Sequence, residues 1–123
     1  MSSPRRITHL IGHRPWEGVA QRTGEVFNPA TGEVTGRVDF ASAEVVGEVV
    51  AKASAAAAEW GQSSLTRRAQ VLFAFRQLLH DNKERIAALI TAEHGKVTSD
   101  ALGEVTRGLE VVEFACGIPH LLK

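Results

Sequence analysis

One thiol, five imidazoles and a guanidinium flanked by glycines are the groups in this 123-residue sequence that could do chemistry. Cys116 is the single cysteine. A thiolate nucleophile needs an electropositive, partly exposed setting, often a helix N-terminus. Cys116 instead continues the apolar series Ala101, Val105, Leu109 and Val112, spaced as one face of a helix, and reads as a small core residue. The histidines are His9, His13, His80, His94 and His120. They make no His-Glu-x-x-His pair and no cluster at metal-ligand spacing, so no metal site is expected. His94, beside the glycine that should end its helix, is a partner for the helix dipole. Eleven glycines include neither a G-x-G-x-x-G nor a P-loop, and Gly95-Lys96 lacks the upstream glycine of a phosphate cradle. No cofactor is expected on these residues alone.

Arg107 is the charge with most to offer. It lies in Gly103-Glu104-Val105-Thr106-Arg107-Gly108, inside a helical pattern. Each interior glycine costs a helix about 1 kcal/mol relative to alanine. That cost points to close approach by backbone, ligand or another helix. Glu104 and Glu110 sit three residues to either side, so a solvated ion-pair ladder is the competing reading.

The elements that must position these groups change period near residue 41. Before it, the chain punctuates like strands and turns. Ile7 to Ile11 alternates, Gly12-His13 can make a two-residue turn, and Arg14 to Trp16 returns as an edge because Pro15 lacks an N–H. Glu25-Val26-Phe27 is extended, Asn28 to Gly32 is a turn, and Glu33 to Phe40 alternates again. After it, the period is helical. Ser42 caps a first helix, which Gly61 should end. Ser64 caps a second, whose face is Leu65, Ala69, Leu72, Phe75 and Leu79. Asp81-Asn82 interrupts the pattern, a short third helix carries Ile86, Leu89 and Ile90, and Gly95 is placed for its C′ position. Thr98 or Ser99 starts a fourth, disturbed after Cys116 by Gly117 and Pro119. The expected fold class is α+β, with a β-rich arm over residues 1–41 and about four amphipathic helices over 42–123.

Composition excludes several function classes. Fourteen basic and fourteen acidic residues give zero formal charge and a pI near 7.0. Nucleic-acid binding needs a basic excess or stripe, so no nucleic-acid partner is expected. The longest near-apolar stretch, Ala53 to Ala58, falls far short of the ~20 residues of a membrane span. The N-terminus lacks the apolar core of a secretory signal, and the expected location is cytoplasmic.

Several segments carry a family resemblance. Phe27-Asn28-Pro29-Ala30-Thr31-Gly32-Glu33-Val34 resembles a segment near the N-terminus of aldehyde dehydrogenases. A helix ending near Trp60, a second opening on Arg67-Arg68-Ala69, and Glu93-His94-Gly95-Lys96 are similar to that superfamily in order and type. Asp100 to Lys123 and the opening Ile7 to Gly12 resemble its CoA-acylating methylmalonate-semialdehyde branch. The resemblance implies an N-terminal piece of a much longer enzyme, part of the α/β aldehyde dehydrogenase fold. It implies NAD as oxidant and CoA as co-substrate in the complete enzyme, the remainder of the dehydrogenase chain as partner, and a homotetramer. It places the catalytic cysteine elsewhere than Cys116, so this segment alone should be inactive. It also gives Arg107 the role of holding the substrate carboxylate. A free-standing helical interaction module is the alternative, which would have to close its own core.

Overall fold

The computed structural model describes residues 4–122. They form two compact units, one reaching Gln62 and one starting at Ser63. The first unit thus includes the strands and the first helix, and the second the remaining helices.

In the first unit, β1 (Arg5–Ile7) pairs in parallel with β5 (Val34–Phe40), and β4 (Arg22–Phe27) pairs antiparallel on the other side of β5. Strands β2 (Leu10–Ile11) and β3 (Arg14–Pro15) make a separate hairpin. Its turn residues, Gly12 and His13, have φ of 59° and 66°, the left-handed pair that a two-residue hairpin turn requires. The alternating run from Ile7 to Ile11 is thus not one strand. Thr8 and His9 divide it, with the Thr8 hydroxyl donating to the Trp16 carbonyl and the Trp16 N–H to the His9 carbonyl. The turn between β4 and β5 forms as the residues dictate. The Asn28 side chain accepts from the Ala30 N–H at 2.8 Å, and Gly32 takes φ 73°. Strand β4 begins at Arg22, three residues before the extended run read from the sequence, because pairing with β5 reaches Phe40.

Asp39 is the buried charge of this unit. Its Oδ2 accepts from Arg6 Nε at 2.8 Å and lies 2.7 Å from Arg6 Nη2, which ties β1 to β5. The Arg6 guanidinium holds the Asp39 carboxyl below the usual carboxylate range, with burial opposing and the Thr8 hydroxyl helping. A pKa lowered by folding gives stability that is present above the unfolded value, near pH 4, and lost as pH falls through the folded value. We expect the denaturation midpoint of the chain to drop below about pH 4. Asp39→Asn should remove part of that slope. An unchanged slope in the variant would mean that the pair adds nothing to folding.

Helix α1 (Ala43–Gln62) follows, with the Val45 N–H on the Ser42 hydroxyl at 3.3 Å. It runs through Gly61 instead of ending there, since glycine weakens a helix by about 1 kcal/mol without stopping it. None of its residues is buried, and Val46, Val49 and Val50 are open. Together with Leu10 and Ile11 of the hairpin they line an apolar groove of about 370 Å³.

The second unit is helical: α2 (Leu65–Asp81), α3 (Lys83–His94), α4 (Thr98–Cys116) and a 3₁₀ turn at Ile118–His120. Ser64 caps α2 through the Arg67 N–H at 3.2 Å. Asn82 closes α2 by donating its side-chain amide to the Leu78 carbonyl at 2.8 Å. Gly95 ends α3 at φ 82° with its N–H on the Thr91 carbonyl. Arg76 of α2 donates to Glu113 of α4 at 2.6 Å. The core of the unit is the crossing of α3 and α4, where Ala87 and Ala101 are 0% exposed and Val105 is buried beside Ile86, Ile90 and Leu102. Two alanines face to face let the helices approach closely.

Little else is covered. The accessible surface totals 9430 Å², whereas two separate folded bodies of half this mass would expose roughly 7,800 Å² together. Val111 and Phe114 of α4 are 68% and 69% exposed, and Phe73 and Leu78 of α2 are open as well.

Candidate functional site

The middle of α4 carries Arg107, the candidate that the sequence singles out. Side chains on a helix lean toward its N-terminus. Arg107 does so: a Cβ built on Gly103, one turn earlier, would lie 3.9 Å from its Nη2. The guanidinium therefore lies beside Gly103, at a distance where even a methyl group would make only ordinary van der Waals contact. Glu110 is on the opposite side of Arg107 in sequence, away from this lean.

The ion-pair ladder does not form. Among the described residues no carboxylate lies within salt-bridge distance of Arg107. Glu104 pairs instead with Lys96, which follows the Gly95 turn and is only 19% exposed. Lys96 is the main reason that the Glu104 carboxyl is held below the usual carboxylate range, with Arg107 contributing least. Arg107 itself is exposed, so its planar fork of donors is open to an incoming anion. The pairing of Lys96 with Glu104 was not foreseen from the sequence, because the two are eight residues apart across a turn.

Gly108 meets nothing. A Cβ there would have open space within 4 Å, so no contact of this chain requires the glycine. Gly108→Ala should therefore stabilise the chain by about 0.5–1 kcal/mol through helix propensity. Thermal melts of the two proteins test this. A destabilised variant would mean that α4 bends or packs at this position.

The other candidates take structural places. Cys116 is 7% exposed at the end of α4. His9 packs against Trp16 in a tilted arrangement with ring centroids 5.3 Å apart, and His94 sits in the last turn of α3. Among the described residues no three His, Cys, Asp or Glu side chains gather as metal ligands. The residues also do not fit a dinucleotide: Gly95 closes a helix instead of opening one, and the Lys96 ammonium is taken by Glu104.

Comparisons with known proteins give the family of the chain and show that its relatives are much longer. The Aldehyde dehydrogenase family profile matches residues 16–123. A malonate-semialdehyde dehydrogenase of Bacillus velezensis is 43% identical over 122 residues, covering 99% of this chain and 25% of that protein. One from Geobacillus thermodenitrificans is 45% identical over 125 residues, with the same coverage. A crystal structure described as a methylmalonate-semialdehyde dehydrogenase of Sinorhizobium meliloti 1021 with NAD superposes with a TM-score of 0.93 at 43% identity, over 100% of this chain and 25% of that one. The chain thus spans about a quarter of the length of these relatives. The mixed α+β architecture matches the N-terminal part of their fold. With the profile extending over β4, β5 and all four helices, the chain belongs to the aldehyde dehydrogenase family.

Proposed function

We propose that this chain is the N-terminal portion of an NAD-dependent, CoA-acylating semialdehyde dehydrogenase whose substrate carries a carboxylate, methylmalonate or malonate semialdehyde. The observation that carries the reading is the exposed guanidinium of Arg107, which has no carboxylate partner among the described residues and lies beside Gly103. Arg107 binds the substrate carboxylate bidentately and so orients the aldehyde at the other end of the molecule. The names of the similar proteins support a short β-oxo acid as substrate. In the complete enzyme NAD accepts hydride and CoA accepts the acyl group. For methylmalonate semialdehyde the products are propionyl-CoA, CO2 and NADH. The residues described here do not fit a dinucleotide, and the role we assign to them is substrate binding.

The large open faces of α2 and α4 favour this reading over a free-standing module, because a module closes its own core. A cytoplasmic homotetramer goes with the same reading. The test is product analysis. The complete enzyme given methylmalonate semialdehyde, NAD and CoA should form NADH and propionyl-CoA in equal amounts. The 123-residue chain alone should give no NADH above a buffer control. A saturable NADH signal from the chain alone, or a free acid in place of the thioester, would defeat the proposal.

A further inference from the structure

We infer that Lys96 is a positioning residue for Arg107: by holding Glu104, it keeps that carboxylate off the guanidinium and leaves Arg107 for the substrate. This rests on the reading of Arg107 given above. Three observations carry it. Arg107 extends along the helix past Gly103, toward the turn that also holds Glu104. Glu104 lies at i−3, where an opposite charge on a helix is a natural partner. Yet Glu104 is engaged by Lys96 from the α3–α4 connection, and Arg107 has no carboxylate partner among the described residues. The Lys96 side chain is the more enclosed of the two at 19% exposure against 44%, so the ammonium is the fixed member and Glu104 the one drawn to it. Gly95 makes this possible, since its φ of 82° turns the chain directly from α3 toward α4.

An internal carboxylate on Arg107 would compete with the substrate's own. Removing Lys96 frees Glu104 to do so. The expected signature is a higher KM for the carboxylate-bearing aldehyde with kcat nearly unchanged, since a competing ion pair acts on binding.

The experiment uses the complete dehydrogenase with four variants: Lys96→Met, Glu104→Gln, the double variant and Lys96→Arg. Steady-state kinetics are measured with methylmalonate semialdehyde and with propanal. Lys96→Met should raise KM for the semialdehyde by about 3- to 5-fold, the upper range for a half-exposed ion pair. Its propanal kinetics should match wild type. Glu104→Gln alone should leave both substrates unaffected, and the double variant should recover the wild-type KM. Lys96→Arg should keep it. The inference is overturned if Glu104→Gln is as damaging as Lys96→Met and the double variant recovers nothing. The pair would then be only a tether between the connection and α4. It is equally overturned if Lys96→Met impairs propanal turnover to the same extent. Arg107→Ala is run alongside. If it leaves the semialdehyde KM unchanged, the parent reading of Arg107 fails. If it raises KM while Lys96→Met does not, only the role of Lys96 fails.

Discussion

Replacing Arg107 by Ala in the complete dehydrogenase is expected to lower catalytic efficiency for methylmalonate semialdehyde by roughly 30- to several-thousand-fold. The range follows from losing one partner of a desolvated charge pair, about 2–5 kcal/mol, at 1.4 kcal/mol per factor of ten. The structure gives the expectation its specificity. Arg107 touches no carboxylate of this chain, so its removal breaks no internal ion pair among the described residues and should not unfold α4. Propanal has no carboxylate, and its turnover should change little. Lysine at 107 should restore only part of the loss, because it keeps the charge and loses the planar fork. The measurement is the ratio of efficiencies for the two aldehydes in wild type and variant. Equal losses on both substrates would make Arg107 a structural residue and remove the basis for a carboxylate clamp.

Enlarging the α3–α4 crossing is expected to have the largest effect on folding. Ala87 and Ala101 are both 0% exposed, and Val105 is buried in the same cluster. Leucine at 101 has nowhere to go unless the helices part. Overpacking of this kind typically costs about 1–3 kcal/mol. For a unit of this size each kcal/mol moves the melting temperature by about 4–8 °C. Ala101→Leu should therefore lower it by roughly 4 to 24 °C. The contrast is Gly108→Ala on the same helix, which adds a methyl group to open space and should move the melt upward. If Ala101→Leu melts like the parent, α3 and α4 do not pack through their alanines. The two positions are seven residues apart and share one side of α4, which is packed at Ala101 and open two turns later at Gly108.

The division between what residues dictate locally and what needs the whole fold follows interaction range. Ser42, Ser64 and Gly95 could be recognised as caps because a cap is settled within four residues by one side chain or one positive φ. The Gly12-His13 and Asn28 to Gly32 turns were legible for the same reason. The run from Ile7 to Ile11 was misread as one strand because alternation reports the extended conformation and says nothing about the partner. Ile7 pairs with Val38, thirty-one residues away, while Leu10 pairs with Pro15. Gly61 looked like a stop on propensity, but one weak residue in a long helix does not end it.

The site divides in the same way. That Arg107 could hold an anion is written in its type, and its role toward a carboxylate is what the resemblance of its motif implies. Its freedom to do so is not written there. On helical spacing, Glu104 was its natural partner. Only the reversal of the chain at Gly95 brings Lys96 to Glu104, and a contact across a turn leaves no periodic trace in the sequence. The sequence by itself therefore determined the helices, the turns and the identity of the chemical group. The tertiary structure decided which charges meet, because an ion pair depends on the distance between two atoms, and that distance is set by how separate elements are brought together.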